Sequence, residues 1–309
     1  MRREEEQKVR LALVGANGML AGAVRSLAPE NYDLVLLDLP DFDLTDKDRV
    51  LSVMNQVRPD VIVNCAAYTN VDGCETNEET ALLVNGRGPG HLAEAAKEFG
   101  ATLVHVSTDY VFDGTKNSPY TEEDAPNPQS AYGRSKLLGE QAILQSGLEK
   151  FFIIRTSWLY GPGGKNFVET IVRLAKDRDE LRIVDDQVGS PTLTDDLARA
   201  IFGLLELDAS PAFAKASAGR PLTPHGIYHF ADEGECSWYE FAEAIVAHLL
   251  RAGTPLQMKR ILPIATHEYP LPAVRPVYSV FSKEKYRRAT GATVPHWRES
   301  LEVYFRTRN

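Results

Sequence analysis

The chain has 309 residues, of which 43% are hydrophobic and 25% charged, and these values are typical of a globular protein with a sizeable core. A formal net charge of -9, without a run of Lys and Arg interleaved with aromatic residues, argues against nucleic acid as a partner. The three cysteines are an odd number without C-x-x-C spacing, which argues against a disulfide framework and against a zinc site.

The segment from Met1 to Lys8 is dense in charge and has no apolar run, so we expect no secretory signal. No uninterrupted apolar stretch of the sequence approaches the length of a membrane span, which argues against a membrane partner. Unpaired cysteines fit a reducing compartment best. We therefore expect a soluble, cytoplasmic protein.

Short apolar runs alternate with longer amphipathic stretches, which predicts repeated strand–helix units and an α/β fold with a doubly wound parallel Rossmann sheet. The predicted strands are residues 10–14, 33–37, 61–64, 102–107 and 151–155. The helices predicted to connect them are residues 19–27, 46–57, 80–99 and 135–145.

After residue 155 the pattern loosens, and we expect a smaller C-terminal substrate-binding lobe over residues 156–309, following a dinucleotide-binding domain over 9–155. The elements predicted in this part are helices at 166–178, 194–206 and 237–251 and strands at 181–184 and 226–229. The helix at 194–206 is the one element that could instead return to the first domain. Residues 208–225, rich in Ala, Ser and Pro, are predicted to form an exposed insertion.

A glycine-containing turn follows the first predicted strand and opens a helix. Glycine allows the tight turn and lets backbone N–H groups approach a pyrophosphate at the positive end of the helix. The alternative is a turn with a purely conformational role, and Ala21 stands where a third glycine is usual. We expect a dinucleotide to contact the residues of this turn: Gly15, Asn17, Gly18, Met19 and Leu20.

Asp38 follows the second predicted strand, close to the spacing of about 20 residues at which a carboxylate hydrogen-bonds the adenosine ribose. A solvated loop carboxylate is the alternative. No Arg or Lys stands between Asp33 and Asp46 to pair with a 2'-phosphate, which slightly favours NADH over NADPH. Asp43 and Leu44 of the same loop belong to the expected cofactor site.

The third predicted strand is followed by Ala66, Ala67 and Tyr68, where small residues would let the chain pass beneath the cofactor; tight packing is the alternative. The fourth ends near Thr108, at the carboxyl edge of the sheet where open α/β folds bind their ligands. A hydroxyl at this edge can hold a substrate carbonyl.

Tyr132 and Lys136 stand four residues apart at a predicted helix start, which places the phenol and the ammonium on one face. An ammonium near a phenol lowers the pKa of the phenol and prepares it to exchange a proton with a sugar alkoxide. The alternative is a surface pair. The order glycine turn, Thr108, Tyr132, Lys136 favours the catalytic interpretation.

Several longer segments carry a resemblance to a known family. They are residues 107–114 (Ser-Thr-Asp-Tyr-Val-Phe-Asp-Gly), 132–136, 139–140, 155–161, 166–167, 184–192, 226–229 and 275–276. In these segments the chain resembles the extended short-chain dehydrogenases and among them the dTDP-4-dehydrorhamnose reductases. The resemblance covers nearly the whole chain, from Val9 to Tyr304. Segment 184–192 is the most specific part of this resemblance.

The resemblance implies a catalytic set of Thr108, Tyr132 and Lys136, with Lys136 also binding the nicotinamide ribose and Asn85 supporting the proton relay. It further implies that a nucleotide-sugar pocket is lined by Asp109, Val111, Phe112, Trp158, Asn166 and Phe167. Where the family commonly has Val-Asp-Lys-Ala-Glu, this chain has Gly73 in place of the lysine. Some relatives bind magnesium at a dimer contact, so Mg²⁺ and a homodimer are possibilities, although no residue match assigns metal ligands.

The activity that the resemblance implies is the NADH- or NADPH-dependent reduction of the C4 ketone of dTDP-4-dehydrorhamnose to dTDP-L-rhamnose, in deoxysugar and cell-surface polysaccharide biosynthesis. Two other functions remain open. One is a non-catalytic regulatory subunit similar to the methionine adenosyltransferase beta subunit, against which the complete catalytic set argues. The other is a nucleotide-sugar epimerase or dehydratase, which would recycle its cofactor within one turnover.

Overall fold

The computed structural model describes residues 8–209 and 224–307, and a six-stranded sheet forms its centre. Every pair of neighbouring strands in this sheet is parallel. In chain order its strands are β1 (Val9–Val14), β2 (Tyr32–Leu37), β3 (Val61–Asn64), β4 (Thr102–Thr108), β5 (Phe151–Thr156) and β10 (Gly226–His229).

Connecting segments cover both faces of the sheet. They are α1 (Met19–Leu27), α2 (Lys47–Val57), α3 (Val71–Thr76), α4 (Glu78–Ala81), a π-helical segment (Leu82–Arg87), α5 (Gly88–Phe99), a 3₁₀ turn (Asp109–Val111) and α6 (Ala131–Gln145).

The strand order β10-β5-β4-β3-β1-β2 reverses its direction of winding between β1 and β3. In an open parallel sheet this reversal opens a crevice at the carboxyl ends of the strands, where ligands bind. The doubly wound fold expected from the sequence is therefore confirmed.

Alternation along β1 shows how the sheet is covered on both sides. Leu11 and Leu13 pack with α1 on one face, while Ala12 and Val14 pack with α2 and α5 on the other. Successive side chains of a strand point to opposite faces, so a continuous apolar run is what a strand buried on both faces requires.

The chain then forms a second group of elements before and after β10. They are β6 (Leu159–Tyr160), α7 (Phe167–Asp177), β7 (Glu180–Val184), β8 (Val188–Gly189), β9 (Thr192–Leu193), α8 (Thr194–Ala209), β11 (Cys236–Ser237), α9 (Trp238–Arg251), β12 (Arg260–Ile264), a 3₁₀ turn (Thr266–Glu268), α10 (Glu284–Thr290) and α11 (Trp297–Thr307). Helices α7, α9 and α11 enclose their own apolar cluster.

Two elements of this later part belong to the central sheet layer. The strand predicted at 226–229 was expected in the smaller lobe, but β10 pairs with β5 because the chain returns to the sheet edge. Helix α8 packs against α1. The alternative that residues 194–206 return to the first domain stays a prediction. The division of the chain at residues 155 and 156 stays a prediction.

The predicted insertion at 208–225 lies mostly outside the described residues, which leave out 210–223. Its described ends approach each other, since the His225 ring nitrogen Nε2 lies 2.9 Å from Asp208 Oδ1. Thr102 Oγ1 donates to the other Asp208 oxygen over 2.5 Å. Across residues 8–209 and 224–307, no helix combines the length and apolar character needed to cross a membrane.

The prediction of one continuous α-helix over residues 80–99 is wrong, because π-helical hydrogen bonding over Leu82–Arg87 interrupts it. Asn85 lies in this segment, and its backbone oxygen approaches Gly139 of α6 so closely that a Cβ at position 139 would collide with it. A π-bulge inside a helix is frequently found at a functional site.

Candidate active site

The turn between β1 and α1 requires glycine and leaves the start of the helix without a side-chain cap. Gly15 has φ +77°, and a Cβ there would lie 2.6 Å from the backbone nitrogen of Ala66. Gly18 precedes α1 without a side-chain cap. The amide groups of the first helical turn are therefore not satisfied by a capping side chain and suit a phosphate group, as expected for a dinucleotide.

Two side chains of this turn do not face the cleft. Leu20 is buried in the core beneath the sheet, so only its backbone can contribute to the expected cofactor site. Met19 contacts the loop before α7, where its sulfur accepts from Asn166 Nδ2 over 3.5 Å. The side chains of these two residues therefore pack against distant parts of the protein, which the sequence of the turn alone does not indicate.

Asp38 accepts two backbone hydrogen bonds, from Asn17 N at 2.7 Å and from Leu39 N at 2.8 Å. It is therefore not the freely solvated loop carboxylate of the alternative interpretation. Each carboxylate oxygen keeps a further lone pair for a ligand hydroxyl. The carboxylate thus tethers the glycine turn and can still bind a ribose.

A cavity of about 240 Å³ lies between the glycine turn, the loop after β2 and the loop after β3. Its lining includes seven of the expected cofactor residues: Gly15, Gly18, Asp38, Asp43, Leu44, Ala66 and Ala67. The Asp43 carboxylate is bound to Thr45, which fixes this wall. The cavity and the uncapped helix start fit an adenine dinucleotide.

Asn85 fastens the loop after β3 to the helix that carries Tyr132. Its Oδ1 accepts from Tyr68 N at 2.8 Å, and its Nδ2 donates to Tyr68 O and to Ser135 Oγ, each at 3.0 Å. Tyr68 and Tyr132 both pack against the same small apolar cluster. Asn85 therefore holds the candidate catalytic helix and the cofactor loop in register.

Thr108, at the end of β4, and Tyr132, in the first turn of α6, meet at the carboxyl edge of the sheet. Burial raises the pKa of Tyr132 above its ordinary value, although the nearby Thr108 hydroxyl partly opposes this effect. Helix α6 begins four residues earlier than predicted because Ser130 caps it by accepting from Gly133 N over 3.1 Å. A phenol that keeps its proton can act as a general acid.

Lys136 lies one turn further along α6 and is buried, with 2% of its surface exposed. Its Nζ donates to Val106 O over 2.6 Å. Burial lowers the pKa of Lys136 to about 8, against the opposing charge of Glu140. The expected lowering of the Tyr132 pKa by this ammonium is wrong here, because burial dominates the phenol and Nζ is directed to the strand.

Asp109 follows Thr108 and is buried beside it. Thr108 Oγ1 donates to Asp109 Oδ1 over 3.0 Å. Burial raises the pKa of Asp109 to about 6, although the neighbouring Ser279 and Thr108 hydroxyls partly oppose this effect. The carboxyl group thus orients the threonine hydroxyl from within the protein.

The sequence reasoning did not single out Tyr110, which packs edge-on against Tyr132 with ring centroids 5.4 Å apart. Its backbone oxygen lies so close to Gly133 that position 133 has no room for a side chain. The only signal in the sequence is its place in segment 107–114. Tyr110 and Gly133 together fix where the Tyr132 ring stands.

A second cavity, of about 870 Å³ and mostly apolar, lies between α7, β7, α9 and residues 266–277. Phe167, a predicted substrate residue, lines it, and so do Trp238 and Arg275, which were not proposed as site residues. Arg275 forms a two-pronged salt bridge with Asp72 of α3, at 2.8 and 3.1 Å, that connects this wall to the segment after β3. The cavity is large enough for a nucleotide-sized ligand.

Trp158 stacks on Trp238, with ring centroids 3.4 Å apart and an angle of 6° between the planes. A Cβ at Gly189 would lie 2.5 Å from the Trp158 ring, so glycine is required beneath the indole. Trp158 does not itself line the large cavity. It supports the tryptophan that does.

Three other substrate candidates have structural partners. Val111 and Phe112 are 0% and 1% exposed and pack with Tyr120 and Phe281, so the expectation that they line the pocket is wrong for their side chains. Asn166 caps α7 by accepting from Glu169 N at 3.0 Å and donates to Gly161 O at 2.9 Å. Its amide is thus used to shape the loop before Phe167.

Gly73, where the family commonly has lysine, faces Asn70 and Tyr68. A Cβ at this position would lie 2.5 Å from Asn70 Nδ2 and 2.8 Å from the Tyr68 hydroxyl. A side chain here therefore requires both to move. In the described part of the chain, no three His, Cys, Asp or Glu side chains are arranged to hold a metal ion.

Comparison with known proteins gives matches over nearly the whole chain. A family model described as the RmlD substrate binding domain matches residues 9–308. The dTDP-4-dehydrorhamnose reductase of Burkholderia thailandensis is 41% identical over 305 residues, covering 96% of this chain and 98% of that protein. The dTDP-4-keto-6-deoxy-D-glucose reductase of Streptomyces niveus is 38% identical over 297 residues, covering 96% of each.

A solved structure has the same fold at similar sequence identity. The crystal structure of dTDP-4-dehydrorhamnose reductase from Bacillus anthracis, in complex with NADP, superposes with a TM-score of 0.86 at 38% identity. The match covers 96% of this chain and 99% of that one.

Proposed function

Because this chain belongs to the family of the RmlD substrate binding domain, we propose that it is an NAD(P)H-dependent reductase of dTDP-4-dehydrorhamnose. The product would be dTDP-L-rhamnose, for deoxysugar and cell-surface polysaccharide biosynthesis. The observation that carries this proposal is the meeting of Thr108 and Tyr132, with Lys136 one helical turn on, at the carboxyl edge of a sheet whose first turn can bind a dinucleotide.

The side chains of this site can position a ketone and supply its proton. When bound, NAD(P)H supplies the hydride that reduces the C4 carbonyl. Thr108 would hold the carbonyl oxygen by turning its hydroxyl proton from Asp109, which accepts it in the free protein, to the substrate. Tyr132 would deliver the proton to that oxygen, because its raised pKa keeps the phenol protonated near neutral pH.

The larger cavity is the proposed site of the nucleotide part of the substrate. Its aromatic wall, Phe167 and Trp238, offers flat apolar surfaces to a base or sugar. Arg275 lies in the same wall, and because Asp72 already balances its charge, it would offer a diphosphate its remaining N–H donors. Trp158 would act by holding Trp238, and Asn166 by shaping the loop that carries Phe167.

Finer features belong to the same proposal. Asp38 favours NADH over NADPH, because its carboxylate can accept from a ribose hydroxyl and repels a 2'-phosphate. The three free cysteines fit a cytoplasmic location. A homodimer and a magnesium ion are further possibilities on the family resemblance alone, and we assign no residues to either.

The decisive experiment incubates the purified protein with dTDP-4-keto-6-deoxy-L-lyxo-hexose and follows nicotinamide absorbance with NADH and with NADPH. A reductase consumes one cofactor for each sugar reduced, and the product is identified by chromatography against dTDP-L-rhamnose. An epimerase or dehydratase would convert sugar without net cofactor consumption. A regulatory subunit would do neither, and either result would contradict the proposal.

A further inference from the structure

Lys136 lies against a buried pair of polar side chains on two neighbouring strands. Asn64 ends β3 and His105 is its direct partner on β4. Both are 1% exposed, and Lys136 is 2% exposed. Asn64 Nδ2 is 3.0 Å from His105 Nδ1, and His105 Nε2 is 3.5 Å from Lys136 Nζ.

The direction of the first hydrogen bond is fixed by the backbone. The N–H of Ala66 can only donate, and it donates to Asn64 Oδ1 over 3.1 Å. The amide nitrogen of Asn64 must therefore be the atom that faces the imidazole. Since that nitrogen is a donor, His105 Nδ1 accepts.

The direction of the second contact follows from the first. Burial and the charge of Lys136 lower the pKa of His105 well below its ordinary value, so the ring is neutral. A neutral imidazole whose Nδ1 accepts carries its proton on Nε2. This N–H is directed at Lys136 Nζ, and only an uncharged amine can accept it, because an ammonium has donors alone.

We propose that Asn64 and His105 are positioning residues that favour the uncharged amine of Lys136 over its ammonium. The amine can accept from His105 Nε2 while it donates to Val106 O; the ammonium would face an N–H group. Turning the imidazole into the other tautomer would require Asn64 to rotate, and the N–H of Ala66 opposes that rotation.

Other groups around Lys136 do not supply this preference. Glu140 on the same helix, and Cys65 after β3, act on the Lys136 charge in the opposite direction by favouring the ammonium. Glu140 is in addition paired with Arg155. The lowered pKa of Lys136, about 8, agrees with the proposal. An activity that depends on the Lys136 ammonium should therefore decline on the basic side, at a pH that the Asn64–His105 pair sets.

The test measures the titration of Lys136 directly, by NMR of the protein labelled with ¹³C at the lysine ε-carbons. A Lys136→Met variant assigns the resonance. Asn64→Asp reverses the first hydrogen bond, since both carboxylate oxygens accept and force the proton of His105 onto Nδ1. His105→Gln changes the second contact without adding charge, because its amide oxygen can turn toward Nζ.

We expect both variants to raise the pKa of Lys136 by about one unit or more. The pH at which kcat declines on the basic side should rise with it. His248→Gln, on α9, is the matched control and should leave the titration unchanged. A wild-type Lys136 that titrates near pH 10, or variants that lower Tm without moving the titration, would overturn the proposal.

The inference rests on the proposed function in treating Lys136 as part of the catalytic set, but its main readout needs no substrate. If Lys136 titrates as expected and NAD(P)H is not consumed, the reductase assignment fails and the hydrogen-bond assignment holds. If the enzyme reduces its substrate and the pKa of Lys136 does not change in the variants, the hydrogen-bond assignment fails and the reductase assignment holds.

Discussion

Arg155 and Glu140 form a two-pronged salt bridge beneath the candidate active site, with Nη2–Oε2 at 2.6 Å and Nε–Oε1 at 2.9 Å. The side chains are 2% and 1% exposed. Ser107 Oγ donates to the same carboxylate, and Arg155 Nη1 is 3.4 Å from His229 Nε2. The pair therefore connects α6, which carries Tyr132 and Lys136, to three strands of the sheet.

We expect Glu140→Gln to destabilise the fold by about 3 to 5 kcal/mol, because it leaves a buried guanidinium without its counter-charge. Equilibrium unfolding in urea measures this change. Glu94→Gln is the matched control, since Glu94 pairs with Lys47 where both side chains are 49% exposed. That change should cost at most about 1 kcal/mol. Equal losses in the two variants would contradict a special role for the buried pair.

Much of the first domain could be predicted from the sequence because its signals are local. Helix α1 has the predicted bounds, and the apolar run of β3 is a strand over the predicted residues. The glycine turn was recognised because one residue type is needed at φ +77°. Such signals depend on neighbours in the chain.

Features that depend on distant residues were not predicted. Nothing near Gly226 indicates that β10 pairs with β5, because strand pairing is set by tertiary packing. The partner of Trp158 is Trp238, 80 positions along the chain by its number, and only the fold brings the rings together. The environment of Lys136 likewise depends on His105 from another strand.

Tyr132→Phe should retain cofactor binding and lose about 100- to 10,000-fold in kcat, because the variant cannot supply the proton. The ring should stay in place, since the T-shaped ring packing with Tyr110 does not require the hydroxyl. Cofactor fluorescence titration and kcat test the two parts. A kcat within about threefold of wild type would rule out Tyr132 as the acid.

Asp38→Asn should narrow the preference for NADH by raising kcat/KM for NADPH, since it removes the charge that repels a 2'-phosphate. The asparagine oxygen can still accept from Asn17 N, so the glycine turn is retained. Asp38→Ala loses both the charge and this bond, and should also weaken NADH binding. A wild-type enzyme with much higher kcat/KM for NADPH would contradict the assignment.

Asp109 should make the fold less stable as the pH rises between about 4 and 6. Its pKa is raised by burial to about 6, so the folded protein holds a proton that the unfolded chain releases, and the stabilisation is lost as the pH rises through that value. A difference of about two pH units corresponds to about 3 kcal/mol. Asp109→Asn lacks this dependence.

Measuring Tm of wild type and Asp109→Asn at pH 4 and pH 7.5 isolates the effect, because other carboxyl groups are common to both proteins. The Tm of Asp109→Asn relative to that of wild type should be higher at pH 7.5 than at pH 4. A Tm difference that is the same at both pH values would show that Asp109 does not hold its proton in the folded state.

The stacked pair Trp158 and Trp238 should contribute to both stability and substrate binding, and the two residues should differ in which effect is larger. Trp238→Ala removes an aromatic wall of the large cavity and should raise KM for the nucleotide sugar about 3- to 10-fold, as loss of about 0.5 to 1.5 kcal/mol of aromatic contact implies. KM for NADH should not change. Trp158→Ala removes the support beneath that wall, so it should raise the same KM and also lower Tm.

Trp297 is the matched control for packing alone, because it is 1% exposed and lies in the apolar cluster of α7, α9 and α11. Trp297→Phe should lower Tm and leave KM for the nucleotide sugar unchanged. If Trp158→Ala behaves in the same way, its indole acts only in packing. If it raises KM while Tm stays at the wild-type value, the indole contacts substrate directly and not through Trp238.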